Sequence, residues 1–290
     1  MPRPRWRLIR SGALRAPINM ALDEALLESV AAGRSCSVLR LYRWDPPAVS
    51  IGYFQQGGGV LNLAACCRLG LDVVRRVTGG RAVLHDREVT YAVISPEGSN
   101  LFPGGILDTY LAIAQVLQHA LAGLGLETEL SKGRNMAGAG GSACFTAPGS
   151  FELLCCGCKI AGSAQKRQGG AFLQHGSIPI DLDPERLFLA LNTRGGVSAE
   201  AGALALTEKV GWVNRFLSRP VHVEDLEDLL LAGFAELLGV ELSEEVPSDA
   251  EWERARQLQA ERYGNPAWTL ERLTGPSADR GKGLLTPMSG

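Results

Sequence analysis

"RRVTGGRAVLHDREVTYAV", residues 75 to 93, sets two apolar, β-branched runs on either side of a paired glycine. The run "LDVVRRV" enters the turn as a strand, and "EVTYAVIS" (88–95) leaves it as another. Between them Gly79 and Gly80 let the backbone approach a ligand closely, and Arg75, Arg76 and Arg81 bring positive charge. The pattern is neither a P-loop nor a dinucleotide fingerprint. On local physics alone, a glycine hairpin with solvated arginines and a ligand-binding loop both remain open.

Upstream, "NMALDEALLESVAAG" (19–33) reads as a helix with Asn19 as N-cap and Gly33 as stop. "SVLRLYRW" and "AVSIGYF" alternate as strands around "DPP", and "LNLAACCRLG" is a short helix. Downstream, Ile106, Tyr110, Ile113, Leu117, Leu121 and Leu124 keep helical spacing, ended by Gly123 and Gly125. "KGRNMAGAGGSA" (132–143) has no periodicity and reads as a flexible loop. Three strands follow, "FELLCC", "KIAGSAQ" and "GAFLQHGSIPID", with Gly157 and Cys158 turning between the first two. After residue 184 the pattern is helical, in "EDLEDLLLAGFAELLG" and "SDAEWERARQLQAERY".

This order predicts an α+β protein, a mixed β-sheet core flanked by helices with a small helical C-terminal portion. The expected divisions are an N-terminal strand and helix over 1–32 packing on the core, a core domain over 33–220, C-terminal helices over 221–275 and a disordered tail over 276–290.

Bulk properties narrow the function. The chain has 290 residues, 46% of them hydrophobic and 21% charged, with net charge −2. That profile is globular and carries no global basic field toward nucleic acid or a membrane surface. The N-terminal stretch has no signal-like apolar run, and no apolar stretch nears the roughly 20 residues that span a bilayer. A cytoplasmic, reducing location is expected.

Seven cysteines, at 36, 66, 67, 144, 155, 156 and 158, are odd in number and irregular in spacing, so a disulfide framework is not expected. "CCGC" crowds three into one segment, whereas zinc sites take paired ligands from separated segments, so no metal is predicted. Cys155 to Cys158 matches CxxC but spans a turn, not the helix N-terminus that activates thiolates. Filling strand positions is the better account of these three. Cys144, after the glycine loop and before Pro148, can be a nucleophile or an ordinary thiol. As a nucleophile it needs a nearby cation, and Lys159 is a candidate that can equally be a surface lysine at a turn.

Taken together, "RRVTGGRAVLHDREVTYAV", "CFTAPGSFEL" (144–153) and "KIAGSAQKRQGGAFLQHGSI" (159–178) resemble the lipoate and biotin protein ligase superfamily. Within it they are most similar to the LipM-type octanoyltransferases, and "NMALDEALL" and Tyr53 to Gln55 agree. The resemblance implies an acyltransferase that moves octanoyl from acyl carrier protein to a lysine of a lipoyl domain, typically the glycine cleavage H protein. It implies no cofactor. Cys144 matches the cysteine that carries the acyl thioester, and Lys159 the lysine that lowers its pKa. Gly79, Gly80, Arg81, His85, Gly162, Ser163 and Ala164 match the walls of the acyl pocket. Because both partner proteins are typically acidic, Arg75, Arg76, Lys166 and Arg167 are expected to form a docking patch.

Three alternatives differ in chemistry. An ATP-dependent lipoate–protein ligase lacks the loop cysteine and tends to carry a third glycine where Arg81 stands. An octanoyl amidotransferase between lipoyl proteins uses a cysteine, with a less similar glycine motif. A catalytically dead binding module has no need of Cys144 and Lys159 together.

Overall fold

The structure is a computed structural model that describes residues 2–132, 150–191 and 196–272. In chain order the first elements are β1 (Arg5–Leu14), α1 (Ala16–Ala31), β2 (Val38–Trp44), β3 (Ala48–Ile51), α2 (Gly57–Val60) and α3 (Leu63–Arg68). Then come β4 (Asp72–Arg75), β5 (Val83–His85), β6 (Glu88–Pro96), α4 (Ile106–Gly123), β7 (Glu129–Lys132), β8 (Ser150–Cys155) and β9 (Cys158–Lys159). β10 (Gly162–Gln168), β11 (Ala171–Pro179), α5 (Pro184–Ala190), α6 (Ala199–Thr207) and α7 (Val213–Phe216) follow. The last described elements are α8 (Val223–Leu237), β12 (Glu241–Glu244), α9 (Asp249–Leu258), a π-helical turn (Gln259–Tyr263) and α10 (Pro266–Glu271).

Six strands make the main sheet in the order β10-β11-β6-β2-β1-β12, parallel at β2-β1-β12 and antiparallel elsewhere. The mixed α+β class expected from the sequence is what forms. β6 lies at the centre with all but its last residue buried, which is why "EVTYAVIS" has no solvent-facing polar alternation. Side chains alternate across it. Leu39, Tyr91, Val93 and Phe172 pack with α4 and α8 on one face, and Val38, Tyr42, Ala92 and Leu173 pack with α1 and α9 on the other. Two small sheets flank this core, β4-β3-β5 and β7-β8-β9.

Several local expectations shift. α1 begins at Ala16, with Arg15 at the N-cap and Pro17 in the first turn, a position proline favours. Asn19 therefore lies inside the helix, where its amide donates to the carbonyls of Leu14 and Arg43. The hairpin turn falls on Cys156 and Gly157, both at positive φ (49° and 76°), one residue before the expected Gly157–Cys158. "KIAGSAQ" is not one strand. Cys158 and Lys159 belong to the β7-β8-β9 sheet and residues from Gly162 onward to the main sheet, so Ile160 and Ala161 carry the chain between layers. β12, among residues read as helical, adds a strand to the main sheet beside β1. The 276–290 tail lies outside the described residues.

Candidate active site

A small cavity opens between the α1 face of the main sheet and the β4-β3-β5 sheet. Of the residues expected at an acyl pocket, His85, Gly162, Ser163 and Ala164 line it. Gly79, Gly80 and Arg81 do not; they form the turn beside it. Arg76, Val83 and Thr90 of the same stretch also line the cavity. The Arg76 guanidinium donates to the carbonyls of Gly79 (2.8 Å) and Arg81 (2.8 Å) and to Ser50 Oγ (2.9 Å), which fixes the glycine turn. Gly80 sits at φ 90°, and a Cβ on Gly52 would lie 2.0 Å from the Gly80 carbonyl oxygen. Strand end and turn pack backbone against backbone there, which only glycine permits.

Two buried histidines stand in this wall. His85 Nδ1 meets Glu88 Oε1 at 2.7 Å and its Nε2 meets Ser50 Oγ at 2.7 Å, while Trp44 stacks on the ring at 4.1 Å. Glu88 also accepts from Thr90 (2.5 Å), from the Trp44 indole (3.1 Å) and from Ser177. His175 Nδ1 meets Asp23 Oδ2 at 3.0 Å and its Nε2 meets Thr78 Oγ1 at 2.7 Å. Asp23 accepts further from Arg40 (2.6 Å) and Tyr42 (2.9 Å).

Burial holds His175 below the ordinary imidazole range; Asp23 opposes this, and Arg76 and His85 add to it. The ring is therefore neutral near pH 7. Its Nδ1–H donates to the carboxylate, and Nε2 accepts from Thr78. Burial pushes the Asp23 carboxyl up, but Arg40 and His175 together bring it below the ordinary range.

The consequence is chemical. Tyr42, Trp44, Ser50, Arg76, His85, Thr90, Ser163, His175 and Ser177 all face the cavity, and each has a hydrogen-bond partner within the protein. Among the described residues the wall's polar side chains already have partners, and the surface left to a ligand is largely carbon, which suits an unsubstituted aliphatic chain. Tyr42, Trp44 and Ser50 lie in ordinary alternating strands and give no signal in the sequence, whereas His175 falls within the stretch 159–178 that carries the resemblance.

The expected docking patch does not form as proposed. Arg75 and Arg76 are buried at 0% and 4% exposure. Arg75 spends its guanidinium on the carbonyls of Gly52, Tyr53, Gln55, Trp268 and Leu270. Burial, with Arg272 nearby, pushes it down to about 10. Lys166 and Arg167 are half-buried and lie near the carboxylates of Glu24 (3.7 Å) and Glu97 (3.4 Å). Arginine next to glycine reads as surface charge when only sequence neighbours are visible. Here it serves backbone carbonyls.

Cys144 and residues 133–143 of the preceding loop lie outside the described residues. Lys159 is described, and it is not a surface lysine. Only 2% of it is exposed, and its ammonium pairs with the Glu152 carboxylate on the neighbouring strand. Its backbone donates to Lys209 O and accepts from Gly211 N, both at 2.9 Å. Cys155 and Cys158 face each other in register and are buried, whereas Cys156 is exposed. Burial, reinforced by Cys156 and Cys158, pushes the Cys155 thiol up to about 11, so it stays protonated at neutral pH. Among the described residues no group of three or more His, Cys, Asp or Glu could hold a metal ion. No helix among them is long and apolar enough to cross a membrane.

The family of lipoyl protein ligase A/B catalytic domains matches residues 15–235. An archaeal bipartite lipoate protein ligase from Thermoplasma acidophilum has the same fold, with TM-score 0.78 at 24% identity over 96% of this chain and all of that one. A lipoate-protein ligase A bound with ATP gives TM-score 0.76 at 24% identity, over 94% of this chain and all of the other. Octanoyltransferase LipM of Kyrpidia tusciae is 41% identical over 92% of this chain and 99% of its own length. That of Brevibacillus brevis is 38% identical, again over 92% and 99%. The chain belongs to the lipoyl protein ligase A/B family, and within it to the LipM octanoyltransferases.

Proposed function

We propose that this protein takes an octanoyl group from acyl carrier protein onto Cys144 as a thioester and passes it to a lysine of a lipoyl domain, such as that of the glycine cleavage H protein, in the cytoplasm. The observation that supports this reading is the cavity, in which each described polar side chain has a partner in the wall. An octanoyl tail needs only that apolar surface, and the reacting carbonyl stays outside it.

The chemistry balances without ATP. The Cys144 thiolate attacks the donor thioester carbonyl, and the carrier's thiolate leaves. The acceptor amine then attacks the new thioester, an amide forms, and the proton lost by nitrogen restores the departing Cys144 sulfur. Lys159 supplies positive charge for the thiolate. Gly162, Ser163 and Ala164 flank the tail, Gly79, Gly80 and Arg81 brace the rim, and His85 closes the wall.

Intact-mass analysis after mixing the protein with octanoyl-acyl carrier protein, without ATP, tests the proposal. The expected result is one hydroxylamine-labile octanoyl adduct, absent in Cys144→Ala. An adduct that persists in the variant overturns the nucleophile. Octanoylation of a lipoyl domain from free octanoate plus ATP favours the ligase instead.

A further inference from the structure

We infer that Glu88 is a positioning residue for acyl selectivity: it turns the hydrogen-bond donors at one end of the cavity away from the ligand, so the site takes a fully reduced chain and rejects one that carries a carbonyl. This rests on the function proposed above.

The sheet side of the cavity is a row of residues in register across four strands. Tyr42 of β2 pairs with Thr90 of β6, Thr90 with Ser177 of β11, and Ser177 with Gly162 of β10. All four line the cavity. Glu88 lies two residues from Thr90 on the same face of β6, 2% exposed and outside that lining.

The Glu88 carboxylate collects the donors of this end. Oε1 accepts from Trp44 Nε1 (3.1 Å), Thr90 Oγ1 (2.5 Å) and His85 Nδ1 (2.7 Å), and Oε2 accepts from Ser177 Oγ. Each of these four donors belongs to a residue of the cavity wall. Trp44, Thr90 and Ser177 have one side-chain hydrogen each to give, and it is directed back into the protein. The other nitrogen of His85 meets Ser50 Oγ at 2.7 Å. Arg76, also in the wall, donates to Ser50, Gly79 and Arg81. What remains at this end is acceptor capacity, since Ser177 Oγ keeps lone pairs besides the hydrogen it gives to Glu88. Among the described residues this end therefore differs from a wall of leucines in sign. A hydroxyl on the ligand finds a partner there, and a carbonyl finds none.

Glutamine in place of Glu88 reverses that sign at one point. Its carbonyl oxygen belongs at the Oε1 position, where three donors converge, which leaves the amide nitrogen at Oε2. That nitrogen donates to Ser177 Oγ, and the serine hydrogen, no longer accepted, turns toward the cavity.

The test gives the full-length protein acyl carrier protein loaded with octanoyl, with octanoyl bearing a carbonyl at successive carbons of its distal half, or with the matching hydroxyl series. kcat/KM is measured for each donor. In wild type at least one oxo position should fall about 10- to 100-fold below octanoyl, the cost of an unpaired buried carbonyl in an apolar pocket. A hydroxyl at that position should lose less than about fivefold. Glu88→Gln should recover the rejected oxo donor about tenfold relative to octanoyl, a ratio that general structural damage does not move. Adding Ser177→Ala should abolish the recovery, because the effect runs through that hydroxyl. Wild-type protein that takes oxo and octanoyl chains alike, an unchanged ratio in folded Glu88→Gln, or a recovery that survives Ser177→Ala would overturn the assignment. Should Glu88→Gln not fold, the wild-type series decides: oxo chains rejected more strongly than hydroxyl chains support the role, and equal rejection removes it. Wild-type protein that transfers no octanoyl group overturns the transfer reading and this role together, whereas octanoyl transfer without discrimination overturns this role alone.

Discussion

The cavity proposed to take the acyl chain and the lysine hairpin hold their polar groups in opposite ways. Around the cavity, Asp23 of α1 binds Arg40 and Tyr42 of β2 and His175 of β11, and His175 ties in Thr78 of the glycine turn. Five residues far apart in sequence share one buried network, and shape is its product. In the hairpin, Glu152 and Lys159 are seven positions apart and pair with each other, which holds a lysine ammonium in a buried place. Damage to the first should appear as lost stability, and damage to the second as lost rate in a folded protein.

Asp23→Asn breaks the network most severely. It leaves the Arg40 guanidinium, with its side chain 0% exposed, without its carboxylate, and removing one partner of a buried pair costs about 3–5 kcal/mol. Chemical denaturation of the variant measures this. A loss below about 1 kcal/mol, the surface-pair range, would erase the distinction between the two regions.

A smaller effect should follow pH. His175 is held below its ordinary range in the folded protein, so the unfolded chain takes up that proton first as pH falls. Its contribution is complete above about pH 6.5 and declines below that value, and Asp23 adds a second loss below about pH 3.9. Melting temperature should therefore drop between pH 7.5 and 5.5, and His175→Gln should flatten the drop. An equal drop in the variant would place the titrating group elsewhere.

The smallest effect is expected in the hairpin. Cys156 occupies φ 49°, in a turn whose two central residues both need positive φ, a conformation that asparagine tolerates better than most residues. Cys156→Asn should raise stability by about 0.5 kcal/mol and leave transfer unchanged. A loss of activity would mean that the exposed thiol takes part in the reaction.

The sequence was most informative where the cause of structure is local. Helical spacing located α4 and α8, and β-branched runs located β2, β4 and β6. It was least informative where a residue answers to something distant. Arg75 and Arg76 resemble solvated charge until the carbonyls they bind are in view. Lys159 resembles a turn lysine until Glu152 and the Lys209–Gly211 segment enclose it. Ile160 and Ala161 give no signal that the chain leaves one sheet for another, because small apolar residues suit either. Of the expected pocket residues, His85, Gly162, Ser163 and Ala164 are brought together, while Tyr42, Trp44 and Ser50 of the wall come from β2 and β3, which carry no motif of their own.

β12 pairs in parallel with β1, and the Arg7 guanidinium is held by Glu251, 244 positions later. Arg254 and Arg262 likewise fasten α9 and the π-helical turn to Glu28 and Glu24 of α1. On a ribosome that emits about 5–20 residues per second, the first strand and helix wait for nearly the whole polypeptide before these partners exist. Such distant closure makes folding slow, and it leaves the apolar face of α1 in need of shelter during synthesis.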